Sequence, residues 1–108
     1  MINQLRIYEL FPETQPEFLD RFRDHAARIM RSHDFKILAM WTTTHDEKPA
    51  FAYLLSWRSE TAMAEGWSRF MADEEWQSIK AQRDPGAGPI VGNILDLQLD
   101  PVTFSKAL

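Results

Sequence analysis

The stretch Phe35-Lys-Ile-Leu-Ala-Met-Trp-Thr-Thr-Thr44, followed by His45-Asp-Glu-Lys48 and then Pro49-Ala-Phe-Ala-Tyr-Leu-Leu-Ser-Trp-Arg58, decides the fold. Its outer segments are rich in aromatic, Ile, Leu and Thr residues and flank a short polar run, which predicts two strands joined as a hairpin. At a strict period of two, Phe35, Ile37, Ala39 and Trp41 fall on one face of the first strand, with Leu38 and Met40 on the other. On the second strand Phe51, Tyr53, Leu55 and Trp57 oppose Ala52 and Leu54. Both faces are therefore apolar at mid-strand. An antiparallel sheet with one wet face would alternate with polar residues, and a bare apolar face would be larger than monomers usually leave in water. A second copy of the sheet is the simplest cover, so the pattern predicts a two-fold homodimer with its sheets facing and its helices outside.

Outward from the hairpin, Gln4 to Phe11 reads as a first strand stopped by Pro12. Thr14-Gln-Pro-Glu17 follows as a capping box, in which Glu17 reaches back to the residue that caps the helix. Phe18, Phe22, His25/Ala26, Ile29 and Met30/His33 recur at steps of three and four, a helical apolar stripe with Arg21, Arg23, Asp24, Arg28 and Arg31 mostly elsewhere, ending near Asp34. Beyond the hairpin, Ser59 is placed to cap a second helix carrying Met63, Trp67, Phe70 and Met71. A second cap at Asp73 predicts a kink before the helix runs on to about Gln82. Asp84 to Pro89 is a loop, and Ile90 to Leu99 is the last strand. The order β-α-β-β-α-β is that of the split, ferredoxin-like α+β sandwich.

The 108 residues make a single domain, 1–108, with 44% hydrophobic and 26% charged residues. Lys and Arg number 12 against 16 Asp and Glu, a formal charge of -4, so no basic face is available for nucleic acid and a membrane surface is disfavoured. With no Cys there is no disulfide, thiolate metal site or cysteine nucleophile. Neither a leader pattern nor a long apolar run is present, which predicts a cytoplasmic protein.

Leu5-Arg-Ile-Tyr8, Phe35-Lys36 with Trp41-Thr42, Tyr53-Leu-Leu-Ser-Trp57, Ala72-Asp-Glu-Glu-Trp-Gln77, and Asn93 through Pro101-Val-Thr-Phe-Ser105 together resemble the NIPSNAP domains from Leu5 to about Ser105. Three positions depart from that pattern: Asp34 where Gly is usual, Glu74 where Pro is common, and Ser105-Lys106 where Ser-Pro is common. All three concern turns and the tail. The resemblance implies a dimeric α/β barrel, a fold shared with cofactor-independent monooxygenases and other small-molecule enzymes, whose bacterial NIPSNAP members largely lack an assigned reaction. Fold analogy of this kind sets a prior for function and nothing more.

The candidate chemistry is sparse. His25 and His33 are eight residues apart on one helix and His45 lies in the hairpin, so they share no metal, and no cofactor motif is present. Asp73, Glu74 and Glu75 crowd a helix start, where negative charge is stabilised without any catalytic role. The aromatic set is more informative: Tyr8, Trp41, Tyr53, Trp57, Trp67 and Trp76 are numerous for so small a core. Arg6 lies on a strand expected to be central, where a charge needs a partner such as Asp96 or Gln98 on the last strand, or an anionic ligand. The candidate ligand-binding residues are Arg6, Tyr8, His25, Trp41, Tyr53, Trp57 and Trp67. Three readings follow: a binder of a small apolar or aromatic molecule, a cofactor-free monooxygenase or isomerase for such a molecule, or a non-catalytic interaction module.

Overall fold

The computed structural model describes residues 1–108. Four strands, β1 (Ile2–Leu10), β2 (Lys36–His45), β3 (Lys48–Trp57) and β4 (Val91–Leu99), form one antiparallel sheet in the order β2-β3-β1-β4. Helices α1 (Gln15–Arg21) and α2 (Ala27–Ser32) precede the hairpin, while α3 (Glu60–Ala72) and α4 (Glu74–Ala81) follow it. This is the expected ferredoxin-like α+β order, with both crossovers packed on one face of the sheet. The core lies in that layer, where Phe18, Phe22, Ile29 and Met30 of the first helical arm meet Phe51, Tyr53, Leu55 and Trp57 of β3.

Between α1 and α2 the helix makes one wide turn, Phe22–Ala26, in which the Ala27 N–H bonds the Phe22 carbonyl five residues back. The arm closes where Asp34 turns to a φ of 68° and the Phe35 N–H bonds the Met30 carbonyl at 3.1 Å. Asp at this left-handed position replaces the glycine that would take it without strain.

Two local expectations are corrected. Thr14 and Glu17 do not form a capping box: the Thr14 side chain caps no helical N–H, and its hydroxyl donates to the Ile90 carbonyl at 2.9 Å. Glu17 turns to Arg83 instead, at 2.9 Å. Both side chains are drawn off by groups distant in sequence, which a local motif does not anticipate. The second correction concerns β2, where a bulge at Leu38 shifts the register with β3 between Ile37 and Ala39. Past the bulge every side chain changes face, so Met40 pairs with Tyr53 on the helix side and Trp41 pairs with Ala52 on the other. Trp41 thus parts from Ile37, with which strict alternation groups it.

The other caps fall as expected. Ser59 accepts from the Ala62 N–H at 3.1 Å, and Asp73 accepts from the Trp76 N–H at 2.9 Å at the break between α3 and α4. The hairpin turns on Asp46 and Glu47, with φ of 51° and 64°. Two positive φ values suit a tight turn between twisted strands, but Glu pays a steric penalty there. Glu47→Gly is expected to raise stability by about 1 kcal/mol, read as a higher midpoint in urea unfolding; an unchanged or lower midpoint would contradict the left-handed turn.

The face away from the helices carries Leu5 and Ile7 of β1, Ala52 and Leu54 of β3, Trp41 of β2, and Leu95, Leu97 and Leu99 of β4. Trp41 is half exposed, and Leu95, Leu97 and Leu99 keep 42%, 40% and 40% of their surface in water. No helix of the protein is long and apolar enough to cross a membrane.

Candidate functional site

On the helix side of the two central strands, the period of two brings Gln4, Arg6 and Tyr8 of β1 opposite Leu55, Tyr53 and Phe51 of β3. Three polar side chains in a row beneath a helical layer need partners. Gln4, 3% exposed, accepts at Oε1 from Trp57 Nε1 at 2.9 Å and from Trp67 Nε1 at 2.8 Å, while its Nε2 donates to Asp96 at 2.8 Å. One amide thus ties β1, β3, β4 and α3 together. Trp57 packs so closely on α3 that a Cβ at Gly66 would lie 2.6 Å from its ring, which explains a glycine inside a helix.

Arg6 stands directly across from Asp96 in the β1–β4 register and donates to it at 2.8 Å. Its Nε and Nη2 both donate to the Tyr8 hydroxyl at 3.2 Å, and its guanidinium lies 4.3 Å from the centre of the Trp67 ring. The Tyr8 and Tyr53 hydroxyls are 2.6 Å apart. Burial works against the Arg6 charge, but Tyr8, Tyr53 and Asp96 outweigh it, so the pKa rises above its ordinary value. Burial pushes the Tyr53 phenol strongly up, so that hydroxyl keeps its proton. Asp96, Arg6, Tyr8 and Tyr53 thus form one string of hydrogen bonds anchored by a permanent cation, with the Tyr8 oxygen in its middle.

Asp96 is 46% exposed against 15% for Arg6, so the pair is weaker than a fully buried one. Arg6→Met is expected to cost about 1–3 kcal/mol in urea unfolding, less than the roughly 3–5 kcal/mol of breaking a buried pair. Adding Asp96→Leu should restore part of the loss. Additive losses would show that the two side chains are not coupled.

Beyond Tyr8 the layer opens into a small cleft of about 70 Å³, walled by Phe18, Phe22, Ala26, Met30, Phe70, Trp76 and Val91, with Arg21 among its lining residues. Of the seven residues expected at a ligand site, Arg6, Tyr8, Tyr53, Trp57 and Trp67 gather in the hydrogen-bonded cluster, and Tyr8 alone also lines the cleft. Trp57 is a core residue, 4% exposed. Trp41 lies on the opposite face because of the bulge at Leu38. His25 sits in the wide helical turn, does not line the cleft, and leaves its buried Nδ1 without a hydrogen-bond partner.

Four residues that matter here were not among the candidates: Gln4, Gly66, Arg21 and Trp76. Gln4 carried a signal, being polar and two residues before Arg6 on a central strand. Arg21 follows Phe18 by three and adjoins Phe22, which puts it on the edge of the apolar stripe rather than off it.

The model of the NIPSNAP family matches residues 3–106. No functionally curated protein shows detectable similarity to the chain. Among solved structures, an uncharacterised NIPSNAP domain protein from Burkholderia xenovorans is similar, with a TM-score of 0.80 and 20% identity over 99% of this chain and 100% of that one. Protein Atu4242 from Agrobacterium tumefaciens has a TM-score of 0.81 and 22% identity, with all of both chains covered (100% and 100%). A putative antibiotic biosynthesis monooxygenase from Deinococcus radiodurans is a more distant likeness, with a TM-score of 0.57 and 16% identity over 100% of this chain and 99% of that one. At these identities the structural likenesses speak for the fold.

Proposed function

The chain belongs to the NIPSNAP family, and from that premise we propose that it is a cytoplasmic homodimer that binds a small, largely apolar or aromatic molecule between its sheet and its helices. The observation that carries this reading is the junction at Tyr8: a partly buried, hydrogen-bonded polar string meets a cleft with apolar walls. Binding sites for small molecules combine an apolar lining with a few fixed polar groups in this way. The Tyr8 hydroxyl is fully engaged by Arg6 and Tyr53, so the string holds the Tyr8 side chain in place where it lines the cleft. The homodimer is supported by the uncovered face, whose apolar middle gives way at one end to the Glu9–Lys48 ion pair at 3.3 Å, the pattern of an apolar interface with a polar rim.

Trp76 walls the cleft, so its fluorescence reports on occupancy. Small aliphatic and aromatic molecules should shift or quench the emission of the native protein in a saturable way, and Trp76→Phe should remove that change. A panel that leaves the emission, the melting temperature and the amide spectrum of the protein untouched would overturn the binding reading.

A further inference from the structure

Arg21 is the cation in the cleft lining, and it is unspent. Arg6, Arg23, Arg28, Arg69 and Arg83 pair with carboxylates, while Arg21, Arg31 and Arg58 form no ion pair within 4.0 Å, and of these three Arg21 alone lines the cleft. Glu17, the carboxylate whose field reaches Arg21, is already held by Arg83, which also donates to the Gly88 carbonyl. What Arg21 does have is the face of Trp76, 5.1 Å from its guanidinium carbon to the ring centre. Lys80 lies 5.9 Å from the same ring. Two cations, Arg21 and Lys80, thus flank this indole, and the Asp73 carboxylate beside it is already engaged by the Trp76 N–H at 2.9 Å and by His33 at 2.8 Å. Burial, with the like charge of Arg83 adding to it and Glu17 opposing it, lowers the Arg21 pKa, and the group remains charged at neutral pH.

We propose that the cleft takes a small organic carboxylate, its apolar part between Phe18, Phe22, Phe70 and Trp76 and its carboxylate on the free guanidinium of Arg21. This names the ligand class for the binding reading given above and rests on it. A carboxylate suits the site because the guanidinium offers a planar pair of donors, and because beyond that one cation the walls are almost wholly apolar and leave little for a polyol or a sugar. Size narrows the class further. About 70 Å³ is roughly half of a cavity of about 150 Å³ that holds benzene, so a chain of a few carbons fits the cleft as it stands, and an aromatic acid requires the side chains of its wall to move.

The test titrates the native protein and Arg21→Met with butanoate, butanamide, benzoate and benzamide, following amide and methyl shifts by NMR, with circular dichroism and melting to check each variant. A charged hydrogen-bonding partner should favour butanoate over butanamide by about tenfold or more, and Arg21→Met should abolish that preference while butanamide binding persists. Arg21→Lys, which keeps the charge but not the fork, should retain only part of the preference. If acids and amides bind alike, or if Arg21→Met leaves the preference intact, the carboxylate assignment falls and the apolar cleft reading survives. If none of the four perturbs the cleft residues, both fall. Should Arg21→Met fail to fold, the acid-to-amide ratio in the native protein and in Arg21→Lys decides alone.

Discussion

Gln4→Leu is expected to be among the most damaging single substitutions in this protein, although it adds apolar volume to an apolar layer. The amide oxygen it removes is the acceptor for two indole N–H groups, at 2.9 and 2.8 Å, and the Trp57 nitrogen is buried. A buried donor left without a partner costs about 1–3 kcal/mol. Two such donors, with Trp67 nearer the surface, bring the expected loss to roughly 3 kcal/mol or more, offset in part by the apolar gain of leucine. Asp96 loses a donor as well, since Gln4 Nε2 bonds it at 2.8 Å. Urea unfolding of Gln4→Leu should show a midpoint well below that of the native protein, and the Trp57→Phe background should shrink the difference. A near-native midpoint would mean that the indole groups find other acceptors and that the amide is no keystone.

Ile7→Lys is expected to act on assembly rather than on the fold of the protomer. Ile7 lies on a central strand, flanked by Ala52 and Leu95 on the face that the helices do not cover. In a lone protomer that position borders water, and a long side chain can lift its charge clear of the sheet. In a two-fold dimer built on this face, the substitution places an unpaired charge in the apolar middle from both sides at once. A cost of the size seen for uncompensated buried charges corresponds to a loss of dimer affinity of roughly 100-fold or more. Light scattering at micromolar concentration should therefore report twice the chain mass for the native protein and the chain mass for Ile7→Lys, with far-ultraviolet dichroism unchanged. A native monomer, or a dimer indifferent to Ile7→Lys, would sink the proposal that this face is the interface.

The β-α-β-β-α-β order, the caps at Ser59 and Asp73 and the Arg6–Asp96 pairing were legible in the sequence because each rests on local spacing or on register fixed by topology. The face of Trp41 was not. A bulge at Leu38 leaves no mark in a run of apolar residues, where either parity looks equally plausible, and one extra residue reverses all that follows. Thr14 and Glu17 misled for the opposite reason: the local motif was present, but Ile90 and Arg83, which claim the two side chains, lie some 70 residues away. The aromatic set pointed to the right layer without separating the members packed as core, such as Trp57, from those beside open space, such as Trp76. That difference depends on how the four helical segments are spaced over the sheet, which composition does not encode.

The wide turn at Phe22–Ala26 also sets how the helical arm tolerates a change in length. In a regular helix, losing one residue rotates everything beyond it by about 100°, so a deletion within Arg28–Arg31 or Phe18–Arg21 would swing core side chains into water. Within Phe22–Ala26 the helix already holds one residue more than the regular repeat needs. Removing Arg23 or Asp24 lets that turn tighten while Phe18 on one side and Met30 on the other keep their angular positions. The arm therefore has one site of slack, at which a single residue can be lost without unseating the core.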